Sequence, residues 1–210
     1  MKPLFVACWL VLSMLTARTS SAQEPTCREV AHIGDSLTAY TKHALANAYR
    51  AVGVTARVDA FGGRGTMQKL RRDPQTGRQA AKTIARAGFS GCWVIALGTN
   101  DTANVHAGAS YTRATAIDEM MRAIDPSGRA IVVWVSAFTT RSTGHWSNAN
   151  MELWNQALRD AGERWPNLRV FDWASIARTG AAPFADGIHH TKQGYAVRNR
   201  AIAEAVAQLR

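Results

Sequence analysis

Apolar positions fall in short runs separated by stretches of helical periodicity, and the two kinds of segment alternate along the chain. Glu29–Ile33 reads as a short strand leading into Gly34. From Ser36 to Val52, the positions Leu37, Tyr40, Ala44, Leu45 and Ala48 recur near a 3.6-residue period and predict a helix. Thr55–Ala60 reads as a second strand, followed by the glycine cluster Gly62, Gly63 and Gly65. Arg78–Ala87 is a predicted helix closed by Gly88. Cys92–Leu97 is a continuous apolar run, the pattern of a strand buried on both faces. Thr112–Ile124 reads as a helix stopped by Asp125-Pro126, and Ala130–Ser136 as the most apolar strand. Asn148–Arg164 is a helix stopped by Trp165-Pro166, Leu168–Phe171 the last strand, and Lys192–Leu209 the closing helix.

Strands joined by helical crossovers imply an α/β fold with a five-stranded parallel sheet covered on both sides. In such sheets active sites form beyond the carboxyl ends of the strands. The segments to inspect are therefore Gly34-Asp35-Ser36, Gly62–Gly65, Gly98–Asp101 and Ala137–Trp146, with the loop after the fifth strand close behind.

Composition adds a compartment. The 210 residues suit one domain, and 47% apolar with 19% charged residues is enough for a core. No repeat or low-complexity tract is visible. Residues 1–22 read as a secretory signal: Lys2 is the positive start, Leu4–Leu15 is an apolar run broken only by Ser13, and Ser20-Ser21-Ala22 presents small residues for cleavage. The run is short of the roughly 20 residues that a membrane span needs, so no integral span is expected after cleavage. An uncleaved anchor is the rival reading. Cys8 lies mid-run, which speaks against a lipoprotein. Cleavage after Ala22 leaves residues 23–210 as the domain. It removes Lys2 and Arg18 and lowers the formal charge of +10 by two, to +8. A basic exported protein is drawn to anionic surfaces such as acidic wall polymers or lipid headgroups, unless the charge serves solubility alone. The basic residues are scattered singly, which argues against nucleic acid. Cys27 and Cys92 remain, each just before a predicted strand, so they can lie side by side at one edge of the sheet. An exported chain with two cysteines is expected to pair them, the alternative being two buried thiols.

Chemistry-bearing residues occupy the post-strand segments. Ser36 opens a helix whose first N–H groups are unpaired, a setting for a nucleophile, provided that a base lies beside it. The plainer alternative is that Asp35 or Ser36 only caps the helix. Asn100 in Gly98-Thr99-Asn100-Asp101 can donate its amide to an oxyanion, or close an Asx turn. Asp186-Gly187-Ile188-His189 can set a carboxylate against Nδ1 of a histidine and leave Nε2 free to take the serine proton. His190 competes for that role; the spacing from Asp186 favours His189. Gly62-Gly63-Arg64-Gly65 lets the backbone approach a reacting centre, and no Gly-Lys-Ser/Thr element follows to make it a phosphate loop.

Taken together and in order, Gly34-Asp35-Ser36-Leu37-Thr38, Gly63, Gly98-Thr99-Asn100-Asp101 and Asp186-Gly187-Ile188-His189 resemble the four blocks of the SGNH (GDSL-like) hydrolase superfamily. The second block fits Gly62 as well as Gly63. The resemblance implies a three-layer α/β/α sandwich of flavodoxin-like SGNH type, without metal or cofactor. It also implies a triad of Ser36, His189 and Asp186, and an oxyanion hole from the N–H groups of Ser36 and Gly63 with the Asn100 side chain. Trp134-Val135-Ser136, Arg141, Trp146, Asn155 and Phe171-Asp172-Trp173 further resemble the extracytoplasmic SGNH domains of peptidoglycan O-acetyltransferases. Those proteins usually carry a membrane acyl-transfer domain, which these 210 residues lack. The expectation is a secreted or envelope esterase acting on acyl or acetyl esters of wall polysaccharides or lipids. A cell-envelope O-acyltransferase is the alternative, and a non-catalytic wall-binding module a third reading that the intact blocks oppose.

Trp93 and Trp134 fall on buried strands and are expected in the core. Trp146 lies in a polar loop, where it can stack on a sugar, line an acyl pocket or simply pack. Arg141 is a candidate for a substrate carboxylate or phosphate, or a surface charge. Asp172 is an alternative acid at a strand end. His32, His43, His106 and His145 show no metal-ligand spacing.

Overall fold

The computed structural model describes residues 27–70 and 72–209; the expected signal at 1–22 lies outside them. The strands are β1 (Glu29–Gly34), β2 (Thr55–Ala60), β3 (Cys92–Ala96), β4 (Val132–Val135) and β5 (Leu168–Phe171). They form one sheet in the order β2-β1-β3-β4-β5, and every adjacent pair is parallel. The continuous apolar runs became the interior: every residue of β3 and β4 is buried, whereas edge strand β2 alternates and exposes more.

The helices are α1 (Ser36–Ala39), α2 (Lys42–Ala51), α3 (Gly77–Arg86), α4 (Thr99–His106), α5 (Arg113–Ile124), α6 (Asn148–Arg164), α7 (Trp173–Arg178) and α8 (Lys192–Ala207). Successive strand residues point to opposite faces, and this divides the core in two. Ile33, Trp93, Ile95 and Trp134 pack with Ile84, Ile117, Met120, Trp154 and Leu158 of α3, α5 and α6. Val30, Val94, Val133 and Val135 pack with Leu45, Tyr49, Trp173, Ile202 and Val206 of α2, α7 and α8. The result is the three-layer sandwich expected.

Local departures have physical causes. The single helix expected over 36–52 is two. At Thr41 the backbone N–H bonds back three residues to Thr38 instead of four, and the Thr41 hydroxyl accepts from Asn199 of α8. The break turns Tyr40 outward. Helix α4 carries no sequence signal of its own: its buried face is largely polar (Thr99, Asp101, Thr102) and shows no apolar period. The strand expected over 130–136 shortens because the Ala130 N–H turns to the Asp125 carboxylate.

Cys27 and Cys92 are joined by a disulfide, with Cα atoms 5.4 Å apart. Cys92 lies level with Val30 on adjacent interior strands β1 and β3. The bond therefore crosses the amino-terminal end of the sheet near its middle, not its outer edge. Residues Ser36 to His189 of the candidate site gather at the opposite end.

Candidate active site

Strand β1 ends at Gly34, where a Cβ would lie 2.3 Å from Thr38 Oγ1; only glycine lets α1 start this close to the strand. Asp35 is buried and its Oδ1 accepts the Leu37 N–H at 2.9 Å, so Asp35 is the cap and Ser36 the first helical residue. The Ser36 hydroxyl is not consumed by capping. It lies 3.0 Å from His189 Nε2.

His189 stands on the loop before α8. Its Nδ1 lies 2.7 Å from Asp186 Oδ2, while Asp186 Oδ1 accepts the N–H groups of Ile188 and His189. The hydrogen bond from His189, aided by those two N–H groups, holds the Asp186 carboxyl far below the usual carboxylate range. His190 points the other way. It is buried against Phe184, Trp173 and Tyr195, and burial lowers its pKa to about 4. Asp172 caps α7 through Ser175 and accepts from the Ser136 hydroxyl, and it forms no hydrogen bond or ion pair with either histidine.

The loop after β2 comes to the same place by burying charge. Arg64 is 2% exposed and pairs with Asp73 and Asp59, each at 2.9 Å. Asp101 accepts the Thr66 N–H and hydroxyl and is fully buried, which pushes its pKa up to about 6. Asn100, one residue earlier on α4, donates from Nδ2 to the Arg64 carbonyl at 3.1 Å and reaches Asp35 Oδ2 at 3.5 Å. Gly63 has φ of +77°, and a Cβ there would strike Leu70 at 2.3 Å; at Gly62 a Cβ would meet nothing. Of the two glycines, only Gly63 is demanded by the backbone.

Between these walls lies an open cleft of about 390 Å³ lined by Ser36, Tyr40, Gly63, Asn100, Arg141 and Trp146, among others. Arg141 Nη2 donates to the Asp186 carbonyl at 3.2 Å, and the Thr140 N–H to the Gly187 carbonyl at 2.9 Å, so the loop after β4 braces the histidine loop. Asn155 clasps Ala137 through both its N–H and carbonyl, tying that loop to α6. Trp146 is 37% exposed at the rim; Trp93 and Trp134 are core. Four lining residues were given no role in the sequence reading: Tyr40, whose ring centroid is 5.3 Å from that of His189, Leu70, Thr99 and Ile188. Their periodicity or loop context gave no cue, except that an aromatic near a helix start beside Ser36 is a recognisable one for Tyr40. The structure also brings His106 and His145 together at the surface, Nδ1 to Nδ1 at 2.7 Å, with the His145 ring edge-on to Trp146.

The fold has close company. Peptidoglycan O-acetyltransferase A of Streptococcus pneumoniae, through its C-terminal catalytic domain, superposes with a TM-score of 0.64 at 17% identity, over 88% of this chain and 93% of that one. A carbohydrate acetylesterase from Sinorhizobium meliloti gives 0.64 at 17% identity, over 87% and 100%. An acetyl xylan esterase from Geobacillus stearothermophilus gives 0.60 at 14%, over 89% and 97%. At such identities these likenesses speak to the fold. Comparison with curated proteins finds no match. The model of the GDSL-like lipase/acylhydrolase family matches residues 32–197, from β1 into α8 and across every block described above. The chain thus belongs to the GDSL-like lipase/acylhydrolase family and is an enzyme of SGNH type.

Proposed function

We propose that the protein is an exported serine esterase that hydrolyses acyl or acetyl esters through Ser36, His189 and Asp186. The observation that carries this reading is the unbroken chain Ser36 Oγ–His189 Nε2–His189 Nδ1–Asp186 Oδ2, at 3.0 and 2.7 Å, opening into the cleft. His189 Nε2 takes the hydroxyl proton as Ser36 Oγ attacks the ester carbonyl. Asp186 fixes the tautomer and stabilises the imidazolium. The N–H groups of Ser36 and Gly63 and the Asn100 amide receive the negative charge on the carbonyl oxygen. The long 3.5 Å contact of Asn100 with Asp35 is one that the amide can yield to a developing oxyanion. Collapse passes the proton from His189 to the departing alcohol and leaves an acyl-serine. Water, deprotonated by the same histidine, then releases the acid.

Export through a cleaved segment at 1–22 agrees with the disulfide, which belongs to oxidising compartments. Tyr40 and Trp146, both exposed and both lining the cleft with Ser36, suit a sugar alcohol in the ester. The same aromatic rims favour a second reading, in which a sugar hydroxyl replaces water and the acyl group is transferred. Turnover of p-nitrophenyl esters of graded chain length, beside acetate release from an acetylated polysaccharide, tests the esterase. Acylated product formed with an added sugar acceptor, in place of free acid, selects transfer. No turnover of any ester by the wild-type protein overturns both.

A further inference from the structure

Ser36 opens a helix of a single turn, α1, and a helix so short is held by its surroundings rather than by itself. A continued helix would pair the Leu37 carbonyl with the Thr41 N–H, four residues on. The break at Thr41 sends that N–H to the Thr38 carbonyl instead, at 3.1 Å, and leaves the Leu37 carbonyl without a backbone donor. Arg198 of α8 takes the vacant bond: its Nη1 donates to the Leu37 carbonyl at 3.3 Å.

Arg198 is an unusual donor for that purpose. It is 2% exposed, it forms no ion pair among the described residues, and its Nε has no acceptor. A guanidinium buried in this way opposes folding. Burial disfavours its charge, and the field of Asp35 supports it. Trp173 flanks the head group, with its ring centroid 6.0 Å from Cζ. The single hydrogen bond that Arg198 forms among the described residues is the one to Leu37. Asp35 meanwhile accepts the Leu37 N–H at 2.9 Å. Leu37 is thus gripped at both its N–H and its carbonyl, by a carboxylate and a guanidinium that form no ion pair with each other. Both bonds fix the backbone directly after Ser36, whose Oγ must stay at 3.0 Å from His189 Nε2.

We propose that Arg198 is a positioning residue for the nucleophile: it holds the Leu37 carbonyl while Asp35 holds the Leu37 N–H, and together they orient the one-turn helix that presents Ser36 to His189. The inference rests on the proposed role of Ser36.

Two readouts test it, one of them independent of turnover. Arg198→Met keeps the bulk and removes the donors. Amide hydrogen exchange should quicken about tenfold over residues 37–41, the scale of one hydrogen bond from a charged group. It should stay as in the wild type over residues 64–66, whose N–H groups are bonded on the other wall of the cleft. On p-nitrophenyl acetate, kcat should fall about a hundredfold with KM little changed, because a displaced nucleophile loses rate at the reacting centre. Arg198→Lys retains a charged donor and should lie between the two proteins in both readouts. Arg198→Met also deprives Asp35 of a nearby cation, so it is combined with Asp35→Asn, which keeps the cap. Compared with Asp35→Asn alone, the double variant should show the same quickened exchange and the same fall in kcat; it also serves where Arg198→Met alone does not fold. Unchanged exchange over 37–41 in both Met variants overturns the proposal. So does a rise spread evenly over the chain, which makes Arg198 a core residue, and so does quickened exchange with kcat unchanged. A double variant as active as Asp35→Asn alone reduces the effect to charge balance and overturns it too. A wild-type protein without ester turnover, in which Arg198→Met still loosens 37–41, removes the esterase reading and leaves Arg198 holding the turn.

Discussion

The two walls of the cleft are built on opposite principles. The wall that carries Gly63 and Asn100 is held by buried polar contacts: the ion pairs of Arg64 with Asp73 and Asp59, and the hydrogen bonds that Asp101 accepts from Thr66 and Asp35 from Leu37. The wall that carries His189 is a half-open loop, with the His189 side chain 28% and the Asp186 side chain 49% exposed, held by hydrogen bonds within four residues and by Arg141. Oxyanion donors act only if they cannot relax, so a rigid, dry scaffold suits them. A general base exchanges protons with solvent and benefits from exposure. The difference teaches where a substitution should act on chemistry and where on stability.

The largest expected effect falls where the walls meet. Ser36→Ala should lower ester turnover by on the order of 10⁴ or more with the fold unchanged, and a variant keeping more than roughly a few per cent of activity would remove Ser36 as nucleophile. On the buried wall, Arg64→Met strands Asp73, whose side chain is 0% exposed, as an unpaired charge. Denaturant unfolding should register a loss of about 3–5 kcal/mol, and a loss under roughly 1 kcal/mol contradicts a charge-held scaffold. Asn100→Ala should cut kcat by about 10²–10³ while KM moves little, because the amide meets full negative charge only in the transition state. A lowered melting temperature with unchanged kcat would make Asn100 a turn residue instead.

Smaller effects sharpen the contrast. The disulfide lies at the far end of the sheet from the cleft. Reducing it should cost roughly 2–4 kcal/mol of stability, with activity per folded molecule preserved. Mass spectrometry that finds two free thiols in the native oxidised protein would end that expectation. The last prediction concerns pH. Burial raises the pKa of Asp35 and Asp101 to about 6, so the folded state holds these protons more tightly than the unfolded chain. Stability from these groups is then greatest at low pH and declines as pH rises from the unfolded value near 4 through about 6. Asp186 has the opposite sign: its contribution is present above the unfolded value and fades as pH falls below it, discounted for exposure. Asp35→Asn keeps a good helix cap and loses the titration. Its stability should decline less between pH 4 and 6 than that of the wild type; equal slopes in thermal melts across that range would contradict the buried-charge account.

Five strands, their parallel alignment, and Ser36, Gly63, Asn100, Arg141, Trp146 and His189 of the cleft were legible in the chain itself, whereas Tyr40 and Leu70 were not. An apolar run long enough for one strand, closed by a glycine or polar turn, is a local signal, and β2, α6 and β5 carry the bounds expected of them. Ser36, Gly63 and Asn100 follow the ends of such runs, where a parallel sheet gathers its loops, whereas Asp186 and His189 lie beyond α7 on the loop before α8. What tertiary structure decided is what depends on partners distant in sequence. The choice between His189 and His190 follows from which ring Phe184, Trp173 and Tyr195 enclose. Arg64 reads as a loop cation among glycines until Asp73 and Asp59 close around it. The helix break that exposes Tyr40 depends on Asn199, and the meeting of His106 with His145 spans two loops. Periodicity reports which face of an element is buried. It carries no information on which charge or ring meets that face from elsewhere in the chain, because that is settled by packing in three dimensions.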